Sequence, residues 1–124
     1  MKSYLDLDIY RDAYDLALKV HHMSLTLPRF ELFEQGSQIR RSSKSIKDNI
    51  VEGYGRRGYK QDFIKFLIYA QSSCDETLNQ LKMISDLYFS EQPLTELIND
   101  YEILGKKINK FVQYVENNWK CAND

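Results

Sequence analysis

The stretch Gly53–Gly58, GYGRRG, comes closest of any part of the chain to a known chemical site. Its glycines match the G-x-G-x-x-G pattern of a dinucleotide-binding loop, in which the backbone approaches a pyrophosphate at a helix N-terminus. That loop follows a strand of a parallel sheet. Here the stretch follows a helical pattern, Ile46–Val51, and no segment of the chain shows strand-like alternation. We therefore interpret the match as accidental and predict no bound cofactor.

A turn between two helices is the better interpretation of the three glycines. Gly53 or Gly55 is expected to adopt the left-handed conformation that ends many helices. Gly58 would then relieve strain before the next helix begins. Asp62 is expected in the first turn of that helix, where a carboxylate meets unpaired backbone N–H groups.

Two arginines lie at the apex of this predicted turn. Arg56 and Arg57 have no core to enter there, so we expect them to face solvent or a partner. Tyr54 and Tyr59 flank them and are candidates to stack on bases or on guanidinium planes. In the alternative, Arg56 pairs with Glu52 one turn back, an exposed pair that contributes roughly 0–1 kcal/mol and needs no function.

The charge distribution favours a polyanionic partner. The net charge is −1, yet residues 36–65 hold 8 Lys/Arg and 3 Asp/Glu, whereas residues 1–35 hold 4 and 6 and residues 66–124 hold 5 and 9. A partner senses charge within a Debye length of about 8–10 Å, so local charge matters more than the total. The predicted nucleic-acid-binding residues are Arg40, Arg41, Lys44, Lys47, Arg56, Arg57 and Lys60.

The residues that could support catalysis or bind a metal are few. Arg11 precedes His21 by ten positions, which does not fit the Arg-to-His spacing of helical-bundle ribonucleases. Adjacent His21 and His22 diverge by about 100° on a helix and chelate poorly. Without a CxxC motif, Cys74 is expected in the core and Cys121 in a frayed end. We predict no catalytic residue, no metal site and no enzymatic activity.

Four segments with helical apolar periodicity must position these residues. Short links between them predict antiparallel neighbours, hence an all-α, up-down four-helix bundle in a single domain, residues 1–124. Without an apolar run of roughly 18 residues or an apolar signal core, we expect a cytoplasmic location. The segments run over about Asp8–Leu25, Phe33–Val51 or Tyr54, Lys60–Tyr88 and Pro93–Asn118.

Details of the helices follow from the same periodicity. Serines at 42 and 43 on the second helix should let a neighbouring helix approach closely. Arg40, Lys44 and Lys47 are expected together on one face of that helix, with Asp48 and Glu52 farther round it. Pro93 suits the first turn of the fourth helix. We call the residues that recur every three or four positions along one face of a helix its seam. The seam of the third helix comprises Phe63, Leu67, Ala70, Cys74, Thr77, Leu81, Ile84 and Tyr88. That of the fourth comprises Leu97, Tyr101, Leu104, Ile108, Phe111, Val115 and Asn118.

The segment QIRRSSKSIKDNIVEGYGRRGYKQDFIKFLIYAQSSCDETLNQL resembles the four-helix-bundle proteins encoded in 23S rRNA intervening sequences. The same family includes the accessory variability protein of diversity-generating retroelements. Ser42 and Val51 replace alanines of the family pattern, and Gly58-Tyr59 replaces a more common serine. The matching residues are Gln38, Ile39, Arg40, Arg41, Ser45, Ile46, Asn49, Ile50, Glu52, Gly53, Gly55, Arg56, Phe63, Phe66, Leu67, Ala70, Ser73, Glu76, Gln80 and Leu81.

The resemblance implies a bundle that assembles into a ring, most often a homopentamer, and that binds nucleic acid or assists an RNA-handling enzyme. Asn49 and Glu52 are then expected to hydrogen-bond across helices or to a neighbouring subunit, and Leu78 and Ile98 to supply a subunit interface. Two hypotheses remain. One is an RNA- or DNA-binding oligomer, with RNA favoured. The other is a protein-interaction scaffold whose basic face docks an acidic protein.

Overall fold

The computed structural model describes residues 3–121, and all regular secondary structure within that range is helical. Two short 3₁₀ turns, Tyr4–Asp6 and Arg29–Phe33, precede the first and second α-helices. The predicted four-helix organisation is confirmed, and the third helix has the predicted bounds. The α-helices are α1 (Asp8–Ser24), α2 (Gln35–Gly55), α3 (Lys60–Tyr88) and α4 (Thr95–Asn118).

One apolar core lies between the four helices. Each helix packs against two others, since α1 contacts α2 and α4, and α3 contacts the same two. Burial of each large aliphatic side chain contributes about 1.5–3 kcal/mol, so these residues carry most of the stability of the fold. The largest fully buried side chains are Val20, Ile39, Ile46, Ile50, Phe63, Leu67, Leu81, Ile84, Tyr101, Leu104, Ile108 and Val115.

Small polar residues bring α2 and α3 close together. Thr77 Oγ1 donates to Ser42 Oγ across the helix pair at 2.9 Å, and the hydroxyls of Ser45 and Ser73 lie 3.0 Å apart. These bonds satisfy buried hydroxyls that would otherwise destabilise the core. The close approach predicted at the serines is confirmed, because Ser42 is almost completely buried. Ser42 contacts Thr77 and Ser45 contacts Ser73, so α2 and α3 run in opposite directions at these contacts.

Several finer predictions were wrong. Pro93 precedes α4 instead of lying in its first turn, because the helix begins at Thr95 with Leu94 as its N-cap residue. Asn118 is exposed and takes no part in the seam, whereas Val112 is buried. Leu78 and Ile98 pack, partly buried, against the core, and their role in a subunit interface stays a prediction.

Asn49 and Glu52 bond to residues close to them in the chain, and their predicted contact with a neighbouring subunit stays a prediction. Asn49 Nδ2 donates to the carbonyl and the hydroxyl of Ser45 in its own helix, at 2.9 and 3.0 Å. Glu52 is exposed and accepts from Arg56, one turn on. Each side chain reaches a partner one turn away, which for Asn49 lies within α2 and for Glu52 is the residue that directly follows α2.

Candidate nucleic-acid interface

A tight turn joins α2 to α3 and holds the two predicted arginines. We call residues 56–59 the apical turn. The N–H of Arg56 donates to Gly53 O at 3.0 Å, and that of Arg57 to Tyr54 O at 3.1 Å. Tyr59 N–H then closes the turn on Arg56 O at 2.8 Å. An i to i+3 bond of this kind holds the two terminal Cα atoms within about 7 Å, so Arg56 and Tyr59 lie side by side.

The glycines of the stretch do not act as left-handed caps, so that prediction was wrong. No glycine among the described residues has a positive φ. Gly53 is required for another reason: a Cβ there would lie 3.1 Å from Phe66 Cβ and 3.3 Å from Phe63 O, both on α3. At Gly55 and Gly58 a Cβ would have nothing within 4 Å. The helix pair thus needs one glycine of the three.

Arg56 is half-exposed and held by several groups. Its guanidinium lies 3.1 Å from Glu52 Oε1 and 3.6 Å from Asp62 Oδ2. The guanidinium also covers the ring of Phe66, 4.9 Å from the centroid. Asp62 lies in the first turn of α3, as predicted. The pairing with Glu52 is the alternative left open by the sequence, and the structure contains it.

Arg57 is exposed but anchored through its backbone and its side chain. Its guanidinium lies 4.2 Å from the centroid of the Tyr54 ring and donates to Tyr54 O at 3.0 Å. Its own carbonyl accepts from Trp119 Nε1 at 3.0 Å and contacts Cys121 Sγ at 3.7 Å. Cys121 is therefore partly buried against the turn, contrary to the frayed end predicted for it.

A cluster of aromatic rings supports the apical turn from below. Phe63 lies at its centre, with ring centroids 6.4 Å from Tyr54, 5.9 Å from Phe111 and 5.2 Å from Trp119. Because Tyr54 is only 5% exposed, its ring has no free face for a base. Tyr59 is 73% exposed and remains a candidate for stacking. Of the two flanking tyrosines, only the one within the turn reaches solvent.

The exposed face of α2 carries mixed charge. Arg41, Lys44, Asp48 and Glu52 together line an open groove of about 500 Å³. Asp48 and Glu52, which were expected farther round the helix than Lys44, line the same groove as Lys44. Lys47 is mostly buried and pairs with Asp48 at 2.7 Å. Two carboxylates thus separate Arg41 and Lys44 from the apical turn.

Arg40 lies at the opposite end of α2 and is engaged inside the protein. Its guanidinium donates to Ser24 Oγ at 2.9 Å and to Leu32 O at 2.6 Å. Gly36 admits it, because a Cβ there would lie 3.0 Å from the guanidinium and 2.7 Å from Glu31 O. These contacts join α1, the second 3₁₀ turn and α2, so we leave Arg40 out of the candidate interface.

The sequence reasoning missed a buried carboxylate at this end. Glu31 is 5% exposed and accepts from Tyr88 OH at 2.5 Å and from Gln35 Nε2 at 2.8 Å. The Tyr88 hydroxyl chiefly, and Gln35 next, lower the pKa of Glu31 below its ordinary 4.5. The only signal in the sequence is a single acidic residue within an apolar run, RFELF.

The seven predicted basic residues therefore lie in different parts of the structure and do not form one continuous site. Arg56, Arg57 and Lys60 meet at the apical turn, where Lys60 begins α3. Arg41 and Lys44 lie farther back on α2. We call Arg56, Arg57, Tyr59 and Lys60 the apical cluster. Its four side chains form the best candidate for contact with a polyanion.

The cysteine and histidine side chains considered for catalysis or metal binding lie in the core or at the surface of the bundle. Cys74 is buried as predicted, and burial chiefly raises the pKa of its thiol to about 12. The rings of His21 and His22 are perpendicular, with centroids 5.8 Å apart. Within residues 3–121, no three His, Cys, Asp or Glu side chains are grouped to hold a metal ion. No helix in that range has the length and apolarity needed to cross a membrane.

Comparison with known proteins supports the resemblance seen in the motifs. The family model described as 23S rRNA-intervening sequence protein matches residues 5–110. The matched range includes α1, α2, α3, the apical turn and most of α4. No curated protein matches the chain.

Proposed function

The chain belongs to the 23S rRNA-intervening sequence protein family, and we propose that it is a non-enzymatic nucleic-acid-binding protein whose ligand is RNA. The observation that carries the proposal is the exposed pair Arg56 and Arg57, each resting on an aromatic ring. A guanidinium that rests on a ring through its flat face bonds through its N–H edge, and phosphate oxygens can share or replace the partners of that edge. Because each side chain is already positioned, binding loses less conformational entropy.

The charge around the apical turn supports a polyanionic ligand. Residues 52–65 hold four basic side chains and two carboxylates. The two carboxylates, Glu52 and Asp62, are both paired with Arg56. Exposed pairs of this kind contribute roughly 0–1 kcal/mol, so phosphate can compete for the guanidinium. Lys120 is also exposed, between two residues that contact Arg57.

The direct test is fluorescence anisotropy with a labelled RNA oligonucleotide over a salt series. We expect affinity to fall steeply with salt, because phosphate contacts release counterions. Arg56→Ala combined with Arg57→Ala should weaken binding about tenfold or more, the equivalent of one charge-assisted hydrogen bond. The slope of log K against log salt should flatten by up to about 1.4 for single-stranded RNA.

A matched control removes the same charge at the other end of the molecule. Arg29 and Lys82 are both exposed, in the second 3₁₀ turn and near the end of α3. The pair Arg29→Ala and Lys82→Ala should leave affinity and slope close to the wild-type values. If both double variants bind alike, the apical turn is not the site. DNA of the same sequence, run in parallel, tests the choice of RNA.

The second candidate function is a protein-interaction scaffold, which the mixed-charge face of α2 favours. On this face the carboxylates repel a polyanion, whereas the alternation of cations and carboxylates can match a protein surface of complementary charge. A pull-down from lysate, with and without nuclease, separates the two functions. Retention of a protein after nuclease treatment, together with no affinity for RNA at moderate salt, supports the scaffold.

For the assembly we propose an antiparallel up-down bundle that forms a ring-like homo-oligomer, with five subunits as the expected number. Support comes from large apolar side chains that remain about half-exposed on three helices, a feature typical of surfaces that associate. Native mass spectrometry measures the subunit number directly, and a monomer at micromolar concentration would contradict this proposal. The exposed apolar side chains include Tyr14, Leu18, Ile68, Met83, Leu87, Ile103 and Tyr114.

A further inference from the structure

We propose that the apical turn binds an unpaired stretch of RNA, with the ring of Tyr59 stacked on one base and the neighbouring phosphates on Arg56 and Arg57. This inference rests on the proposed function and specifies the form of the ligand. It depends on three features of the turn. These are the exposure of the ring, the position it occupies in the helix, and the cations held next to it.

The ring of Tyr59 is free to accept a base. It is 73% exposed, and among the residues that the structure describes it makes no ring contact. Phe33 is the only aromatic side chain of that range that is more exposed, and it lies in the second 3₁₀ turn at the other end of α2. Stacking a base on a flat ring that is otherwise exposed to water stabilises the complex.

Tyr59 also occupies a position where another residue would stabilise the protein more. It is the N-cap residue of α3, with φ −121° and ψ 96°, and no side chain caps the helix there. Serine, threonine, aspartate or asparagine at such a position accepts a bond from the first free N–H groups. A tyrosine leaves them without that partner. A residue that weakens its own helix and points at solvent is consistent with a binding role.

Two arginines precede Tyr59 in the same turn and carry positive charge close to it along the chain. The bond from Tyr59 N–H to Arg56 O, 2.8 Å long, holds the backbones of these two residues together in the turn. Arg57 lies between them in the turn, with its backbone held by Trp119. A base over the ring therefore has positive charge close to the sugar-phosphate backbone. Stacking platforms beside basic side chains are typical of sites for single strands.

A duplex does not fit these features as well. Each base inside a helix is covered on both faces by its neighbours, so the Tyr59 ring has nothing to stack on without extruding a nucleotide. The major groove of A-form RNA is too deep and narrow for a side chain to read. A duplex would contact only the arginines and lysines. Unpaired nucleotides use the ring as well.

The experiment compares two probes and two variants by fluorescence anisotropy at fixed salt. The probes are a labelled oligouridylate and a blunt RNA duplex of the same length. In Tyr59→Phe the ring is kept. In Tyr59→Ser the ring is lost and a capping hydroxyl is supplied. We expect wild type and Tyr59→Phe to prefer the single strand, and Tyr59→Ser to bind it at least about fivefold more weakly.

Thermal unfolding is the control for these variants. Tyr59→Ser should melt at or above the wild-type temperature, because it caps α3, so weaker binding cannot come from unfolding. Equal affinity of wild type and Tyr59→Ser for oligouridylate overturns the inference while leaving RNA binding in place. So does equal affinity of wild type for both probes. No binding of either probe overturns the proposed function as well.

Discussion

The two ends of α2 treat the same functional group in opposite ways. At the end where the helix begins, the guanidinium of Arg40 is enclosed and donates to Leu32 O at 2.6 Å. After the helix ends, Arg56 and Arg57 lie at the surface, on the rings of Phe66 and Tyr54. We call the first region, with Glu31 and Gly36, the closed end. The difference shows that the surrounding acceptors, more than the residue type, decide whether an arginine is structural or available.

The acceptors come from different parts of the chain. At the closed end, the segment Arg29–Phe33 folds back over the start of α2 and presents carbonyl oxygens with no helical partner. A buried carbonyl without a donor destabilises the fold by about 1–3 kcal/mol, and Arg40 supplies that donor to Leu32 O. At the apical turn Gly53 O, Tyr54 O and Arg56 O already accept from backbone N–H groups. Arg57 adds one bond to Tyr54 O, and the aromatic faces attract both cations weakly.

The largest expected difference between the ends concerns glycine. Gly36→Ala should lower the free energy of unfolding by about 1–3 kcal/mol, because its Cβ would lie 2.7 Å from the backbone oxygen of Glu31. Gly55→Ala, next to the apical turn, meets no atom within 4 Å and should raise it by about 0.5 kcal/mol. Urea denaturation measures both. A neutral Gly36→Ala would mean that the closed end is looser than described.

The arginines themselves sharpen the comparison. Arg40→Ala should lower the free energy of unfolding by about 2 kcal/mol, because it leaves the carbonyl of Leu32 without its donor. Arg57→Ala should lower it by less than about 1 kcal/mol, since an exposed cation–π contact is weak. RNA affinity should respond in the opposite order, falling for Arg57→Ala only. An Arg40→Ala protein that is folded yet loses affinity for RNA would contradict this separation.

The smallest effect we predict is a pH dependence at the closed end. Because the Tyr88 hydroxyl lowers the pKa of Glu31 in the folded state, its contribution is present above the ordinary 4.5 and is lost as pH falls through the lower folded pKa. The same bond raises the pKa of the Tyr88 hydroxyl above its ordinary 10 in the folded state. The stability that the bond contributes is therefore lost again as pH rises above 10 and through this higher folded pKa. Tyr88→Phe should therefore destabilise the protein at neutral pH.

The comparison is made by thermal unfolding of wild type and Tyr88→Phe from acid to neutral pH. The two melting temperatures should differ most near neutrality and converge as pH falls through the lowered folded pKa of Glu31, below which its carboxyl group is protonated in both proteins. A gap that stays constant over the whole range would show that the hydroxyl stabilises the fold without the carboxylate.

Much of the fold follows from the sequence because the helices follow local patterns. The seam from Phe63 to Ile84 is buried at every predicted position, and α3 has the predicted bounds. Apolar spacing of three and four residues is set within one helix and needs no knowledge of the rest of the chain. Ser42 and Ser43 likewise predicted a close contact between α2 and a neighbouring helix, because small side chains leave room for a neighbour.

The candidate site could be predicted only in part. Arg56, Arg57 and Tyr59 are adjacent in the sequence, so their meeting at one turn was foreseeable. Tyr54 was not, because its burial depends on Phe63, which lies across the turn. The separation of Arg41 and Lys44 from the turn also depends on where Asp48 lies. Basic residues that are close together in the sequence need not form one basic surface in the folded protein.

From sequence alone come the four helices, their buried seams, the family motif and the pair of arginines at a bend, since each depends on residues within a few turns of one another. Tertiary structure decided which cations reach solvent. Arg40 is held by groups from 16 and 8 positions away, and Arg57 by a tryptophan 62 positions away. Contacts over such distances arise only when the helices pack, because burial and geometry select one partner among many that the sequence offers.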